Sequence, residues 1–160
     1  MTQRSDTLVI RELKPSDVPH CEAVLRSLPE WFGIESSLVR YVGDLSRLES
    51  FVATRAGSVV GVISVRLHNP RSAEIDVLAV RPECHGSGAG RSLVAHVEAL
   101  LQSRSVEFLQ VKTLGPSRPN EHYSRTRGFY EHMGFRALEE TDLWGPTNPC
   151  LIMVKRLDAP

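Results

Sequence analysis

The stretch Glu74–Arg91, EIDVLAVRPECHGSGAGR, constrains this chain more than any other. A strand-like alternation ends at Val80, a turn follows, and Gly86, Gly88 and Gly90 lead straight into an amphipathic pattern. A glycine-rich loop between a strand and a helix aims backbone N–H groups at one spot. The helix adds unpaired donors and the positive end of its dipole, so an anionic phosphate is the natural occupant. The spacing excludes two common phosphate loops. A nucleoside-triphosphate loop needs G-x-x-x-x-G-K-[ST], and no Lys follows any of these glycines. A dinucleotide fingerprint needs G-x-G-x-x-G, and Arg91 stands three residues after Gly88.

The rest of the chain supplies a scaffold for that loop. Its 160 residues, 41% hydrophobic and 24% charged, suit one globular domain spanning residues 1–160. Lys and Arg number 19 and so do Asp and Glu, so no overall field recruits nucleic acid or an anionic membrane, and neither partner is expected. The opening MTQRSDTLVIREL lacks the apolar run of a signal peptide and the length of a membrane span, which points to the cytoplasm. Cys21, Cys84 and Cys150 lie far apart with no C-x-x-C pair and no His at ligand spacing, so neither a metal site nor a disulfide framework is expected.

Residues 7–13 alternate as a first strand, and Lys14-Pro15-Ser16-Asp17 starts a helix whose Val18, Cys21, Val24, Leu25 and Leu28 form a buried stripe. Trp31 and Phe32 then sit between Pro29 and Gly33, before a second helix over 36–48. These aromatics either plug the gap between two helices or wall a ligand pocket. Glu30 and Glu35 flank them as carboxylates that suit a cationic amine or plain solvent. Strands follow over 50–55, 59–67 and 73–80. In the last of these a period of two sets Ile75, Val77 and Ala79 against Glu74, Asp76, Leu78 and Val80. Leu93, Val94, Val97, Leu100 and Leu101 give the helix after the glycines its apolar stripe, and 108–113 is a fifth strand. A short helix within 123–135 ends at Gly134, and strands over 135–143 and 150–157 close the chain around Trp144.

Two of these features together carry a resemblance. The run His85-Gly86-Ser87-Gly88-Ala89-Gly90 resembles the [QR]-x-x-G-x-[GA] loop of the GNAT acetyltransferase superfamily, with His85 where Gln or Arg is usual. The later Phe129-Tyr130 and Gly134-Phe135 pairs look like that superfamily's second signature, in the order it uses. The resemblance covers nearly the whole chain. It implies a three-layer α+β fold, a mixed and mostly antiparallel seven-stranded sheet flanked by about four helices. It implies acetyl-CoA as acyl donor and direct transfer of the acetyl group to a primary amine of a small molecule or peptide, with a homodimer left open. A non-catalytic acyl-CoA-binding sensor or interaction module is the alternative.

The resemblance also distributes roles. The backbone of Leu78, Ala79 and Val80 is implied to pair with the pantetheine arm, and His85 through Gly90 with Arg91 to hold the pyrophosphate. Arg127 and Tyr123, one and two turns before Tyr130, border the cofactor. Tyr130 is implied as the acid that protonates the leaving thiolate. Glu74, at a position where some relatives carry a glutamate, and Asp76, one pleat on, are the candidate bases, directly or through water. The loop holding Glu30, Trp31, Phe32 and Glu35, together with Trp144, is implied to wall the acceptor. Cys84 as an acyl-carrying thiol lacks an activating His–carboxylate pair beyond neighbouring His85.

Overall fold

The computed structural model describes residues 6–158. The first five residues, part of the segment read above for targeting signals, lie outside that range. Seven strands and four α-helices are present among the described residues: β1 (Val9–Glu12), α1 (Val18–Arg26), α2 (Glu35–Asp44), β2 (Glu49–Arg55), β3 (Ser58–Asn69), β4 (Ser72–Val80), α3 (Ala89–Ser103), β5 (Phe108–Leu114), α4 (Glu121–His132), β6 (Arg136–Thr141) and β7 (Cys150–Arg156). The strand order is β1-β2-β3-β4-β5-β7-β6, and β4 pairs with β5 in parallel while the β1/β2, β2/β3, β5/β7 and β6/β7 ladders are antiparallel. This is the mixed seven-stranded α+β sheet expected from the sequence. None of the described helices is long and apolar enough to cross a membrane.

Two compact units can be distinguished. The first comprises Met1–Arg66 and Asp76–Ala99. Its core is the α1 stripe of Cys21, Val24, Leu25 and Leu28 packed with Leu38, Leu45, Val52, Val59, Val62, Val77 and Ala79. Each Val or Leu side chain among them, taken fully out of water, contributes roughly 2 kcal/mol. Burial drives the Cys21 thiol up to about 12, so it behaves as the packing residue its spacing predicts. A lock precedes α1. The buried Asp17 carboxylate receives Arg11 Nη1 and Nη2 at 2.7 and 2.9 Å and the Lys14 N–H at 2.7 Å. Helix α2 is shorter than the expected 36–48 and ends at Asp44. The Arg47 and Leu48 N–H groups both turn back to the Asp44 carbonyl, and Ser50 Oγ, donating to Leu45 O at 2.8 Å, holds that turn against β2.

Gly61 in β3 marks a close approach. A Cβ there would meet Leu93 Cδ1 at 3.1 Å, Ala79 O at 3.2 Å and Val80 Cγ2 at 3.3 Å, so glycine is what lets α3 and the end of β4 settle on this strand.

The second unit comprises Leu67–Ile75 and Leu100–Pro160. Leu109 and Val111 are buried along β5 while Gln110 and Lys112 between them are half-buried, the alternation of a strand with two distinct faces. Asn120 caps α4, its Oδ1 accepting the Tyr123 N–H at 3.2 Å. The helix stops where the sequence places the stop. Gly134 has φ +96°, and the Gly134 and Phe135 N–H groups reach back to Glu131 O and Tyr130 O at 3.0 Å each.

Candidate functional site

In the first unit the chain leaves β4 at Val80, makes a 3-10 turn at Pro82–Cys84, and enters α3 at Ala89. Gly86 and Gly88 take φ +78° and +89°, a left-handed conformation that would strain any side chain. The backbone folds onto itself through Ser87 N–H to Cys84 O at 3.2 Å and Ser92 N–H to Gly88 O at 2.9 Å. Among the described residues, the N–H groups of Gly86, Gly88, Ala89, Gly90 and Arg91 have no backbone acceptor in this loop. These donors open an α-helix of 15 residues, which concentrates positive potential at its start.

His85 is engaged inside the fold. Its Nε2 lies 2.8 Å from Val80 O, closing the loop onto the last residue of β4. Trp31 packs edge-on against the same imidazole, with ring centroids 6.1 Å apart. Phe32 packs edge-on against Tyr41 at 5.8 Å, and both aromatics lean on the α1/α2 core while remaining partly exposed. Trp31 and Phe32 thus pack against the helical core, and Trp31 also abuts the glycine loop through His85.

Asp76 is the unit's buried carboxylate on β4. Its side chain is 9% exposed, Oδ1 lies 3.4 Å from Arg66 Nη2, and Oδ2 has no partner. The same Arg66 nitrogen lies 3.6 Å from Asp44 at the end of α2. Burial pushes the Asp76 carboxyl above the usual range, against the pull of Arg66. Glu35, which suits a cationic amine or solvent, pairs on the surface with Arg26, whose Nη1 and Nη2 donate to it at 2.9 and 2.8 Å. Its charge is answered within the chain, and the Arg26 hydrogen bonds hold its carboxyl below the usual range. Glu30 is exposed in the turn after α1.

In the second unit Glu74 is buried and thoroughly paired. Oε1 receives Gln110 Nε2 at 2.7 Å and lies 2.9 Å from His68 Nε2, and Lys112 Nζ sits 3.2 Å from the same oxygen. The β4/β5 register sets Glu74 directly beside Gln110. His68, Gln110 and Lys112 escaped the sequence reading. The alternation of β5 was their one available signal, and it does not say which strand lies next to β5. Tyr130 is 5% exposed, its ring edge-on to Phe129 and Phe135 at 5.2 and 5.3 Å. Arg127 Nη1 donates to Leu114 O at 2.8 Å, tying α4 to the end of β5. Trp144 is 40% exposed in the β6–β7 connection, beside a turn closed by Gly145 N–H to Asp142 O at 2.8 Å.

Comparison with known proteins fits this arrangement. The acetyltransferase (GNAT) domain profile matches residues 46–137, more than half of the chain. An uncharacterised N-acetyltransferase of Chlorobaculum tepidum is 33% identical over 90 residues, 56% of this chain and 51% of that protein. The chain thus spans about half the length of the curated relative it matches. Among solved structures, a Desulfovibrio desulfuricans protein assigned to the GNAT family superposes with TM-score 0.83 at 19% identity, covering 95% of this chain and 100% of the other. An aminoglycoside 6'-N-acetyltransferase complexed with coenzyme A superposes with TM-score 0.76 at 18% identity, covering 95% and 98%. These distant structures share the fold, and the profile carries the family assignment. The chain belongs to the GNAT acetyltransferase family.

Proposed function

We propose that the chain transfers an acetyl group from acetyl-CoA directly to a primary amine of a small molecule or peptide. The observation that carries this is the set of N–H donors of Gly86, Gly88, Ala89, Gly90 and Arg91 at the start of α3, which lack a backbone acceptor in the loop and form a cradle that suits the CoA pyrophosphate. The backbone of Leu78, Ala79 and Val80 and the α4 residues Tyr123 and Arg127 are assigned to the rest of the donor. The coenzyme A held by a protein of the same fold supports that assignment.

Attack of a neutral amine nitrogen on the thioester carbonyl forms the C–N bond and breaks the C–S bond. Two protons must leave nitrogen, one before attack and one as the amide forms, and one must reach the leaving thiolate. An alkyl amine resembling Lys, with a reference value near 10.4, is only about 0.04% neutral at pH 7. A base therefore has real work at this step. Tyr130 is assigned to the thiolate, since an ordinary phenol is protonated at neutral pH. Asp76 and Glu74 are assigned to the amine's proton, directly or through water, and the unpartnered Asp76 Oδ2 favours a role toward a cation. Glu30, Trp31, Phe32 and Trp144 are assigned to the acceptor, Trp31 because it adjoins the glycine loop through His85. The implied compartment is the cytoplasm, which cell fractionation tests.

Thiol release from acetyl-CoA, followed with a polyamine, an aminoglycoside, amino-acid amides and short peptides, tests the proposal. Amine-dependent release with a mass gain of one acetyl group on the acceptor is expected. Tight CoA binding without turnover on any of these amines favours the sensor or interaction module.

A further inference from the structure

The partners of Glu74 reassign the proton-accepting step. The carboxylate is deeply set, with its side chain 10% exposed, and Oε1 is already taken by Gln110 and His68 with Lys112 beside it. Oε1 is thus occupied by donors, and Oε2 faces the Lys112 ammonium at 3.4 Å. His68 has the opposite character, since it stands near the end of β3 with its side chain 38% exposed.

The pair also fixes the tautomer. An ionised carboxylate carries no hydrogen, so a 2.9 Å contact between His68 Nε2 and Glu74 Oε1 requires the hydrogen on Nε2. In the neutral ring the lone pair then resides on Nδ1. Lys112 Nζ, 3.4 Å from Oε2, is a cation beside the same Glu74 carboxylate. Among the described residues, Glu74 of β4 is the charged group paired with this imidazole, Lys112 of β5 lies beside the same carboxylate, and the buried Cys150 thiol of β7 lies within the electrostatic reach of Glu74 and Lys112.

We propose that His68 is the base that deprotonates the acceptor ammonium, and that Glu74 is its positioning residue, held in turn by Gln110 and Lys112. This rests on the acetyltransferase reading above. In the step, His68 Nδ1 takes one proton from R–NH3+, giving an imidazolium whose Nε2–H stays on Glu74. The neutral amine then attacks the thioester carbon, the C–S electrons go to sulfur, and the second nitrogen proton replaces the one the thiolate receives. The imidazolium returns its proton to solvent, so the balance is one amide, one thiol and one proton. An imidazole suits this task because its reference value near 6.5 lies close to neutral pH.

Two measurements on the intact chain test it. Nitrogen-detected NMR of the His68 ring above pH 8 should show the Nε2–H tautomer in the wild type and a mixture of tautomers in Glu74→Gln. In parallel, kcat/KM is followed against pH for His68→Gln, with the panel amine the wild type turns over fastest. A base role predicts a loss of about thirtyfold at pH 7 that shrinks to about threefold or less near pH 10, where roughly a quarter of the amine is already neutral without help. Exogenous imidazole should restore part of the activity of His68→Ala. A wild-type Nδ1–H tautomer, or a His68→Gln deficit that stays constant with pH, overturns the proposal. A wild type inert toward every amine overturns the acetyltransferase reading and this assignment with it, whereas an active enzyme with an unaffected His68→Gln overturns this assignment alone.

Discussion

The imidazole Nε2 of His85 lies 2.8 Å from the carbonyl oxygen of Val80, so the first residue of the phosphate loop is tied to the last residue of β4. The superfamily loop, as it resembles this one, carries Gln or Arg at that position. Here the side chain is spent on shaping the loop, and Trp31 buttresses it from the other side. Removing the imidazole by His85→Ala should loosen the cradle without touching the reacting groups. Isothermal titration should show CoA affinity weakened by about threefold to tenfold, the worth of one hydrogen bond with its packing. The turnover number at saturating acetyl-CoA should stay near wild type.

Gly88 tests the cradle itself. A Cβ at this position would meet nothing within 4 Å, so sterics toward neighbours are not at issue. The φ of +89° is the obstacle, and alanine there costs about 1–2 kcal/mol. Gly88→Ala should therefore lower Tm modestly and weaken CoA binding more strongly, because the loop relieves its strain by turning N–H donors away. A lowered Tm with CoA affinity intact would separate the glycine from the donor site.

Asp17 carries a pH-dependent part of the stability. Hydrogen bonds from Arg11 hold its carboxyl below the usual range, against some desolvation, with help from the Lys14 N–H. A carboxyl depressed in the folded state contributes stability that is complete above its unfolded value near 3.9 and is lost as pH falls through the lower folded value. Urea unfolding should find Asp17→Asn about 2 kcal/mol less stable at pH 7, as for charge-assisted hydrogen bonds. The gap should close in that acid window.

The loop and its setting were legible in the sequence because their causes are local. Glycine at positive φ, a strand before and an amphipathic stripe after are properties of consecutive residues, and Gly134 ended α4 for the same reason. The end of α2 was less legible, since it depends on Ser50 reaching back to Leu45 O from the next strand. The surroundings of the two carboxylates were legible only in part. Asp76 meets Arg66, ten residues earlier, across one hairpin. Glu74 meets Gln110 and Lys112, 36 and 38 positions away, because β4 and β5 run parallel around an intervening helix. Glu35 was read as available to a substrate, yet Arg26, nine residues earlier across the aromatic loop, already holds it.

Asp76 makes a contrasting prediction to Asp17. Burial raises its carboxyl, so its contribution to stability is complete below the unfolded value near 3.9 and is lost as pH rises through the higher folded value. At neutral pH the charged form is a burden on the fold, only partly offset by the half-exposed Arg66. Asp76→Asn should be at least as stable as wild type at pH 7, with its advantage shrinking toward pH 4, while acetyl transfer slows. Marked destabilisation at pH 7 with unchanged transfer would assign Asp76 to structure.

The central claim is acetyl transfer with Tyr130 returning a proton to the thiolate, and Tyr130→Phe tests it most directly. The hydroxyl is removed while the ring keeps its packing against Phe129 and Phe135. Thiol release with a saturating amine, measured beside CoA titration on the same preparation, should show turnover reduced by about tenfold or more with CoA affinity nearly unchanged. Turnover equal to wild type in that variant would contradict the account.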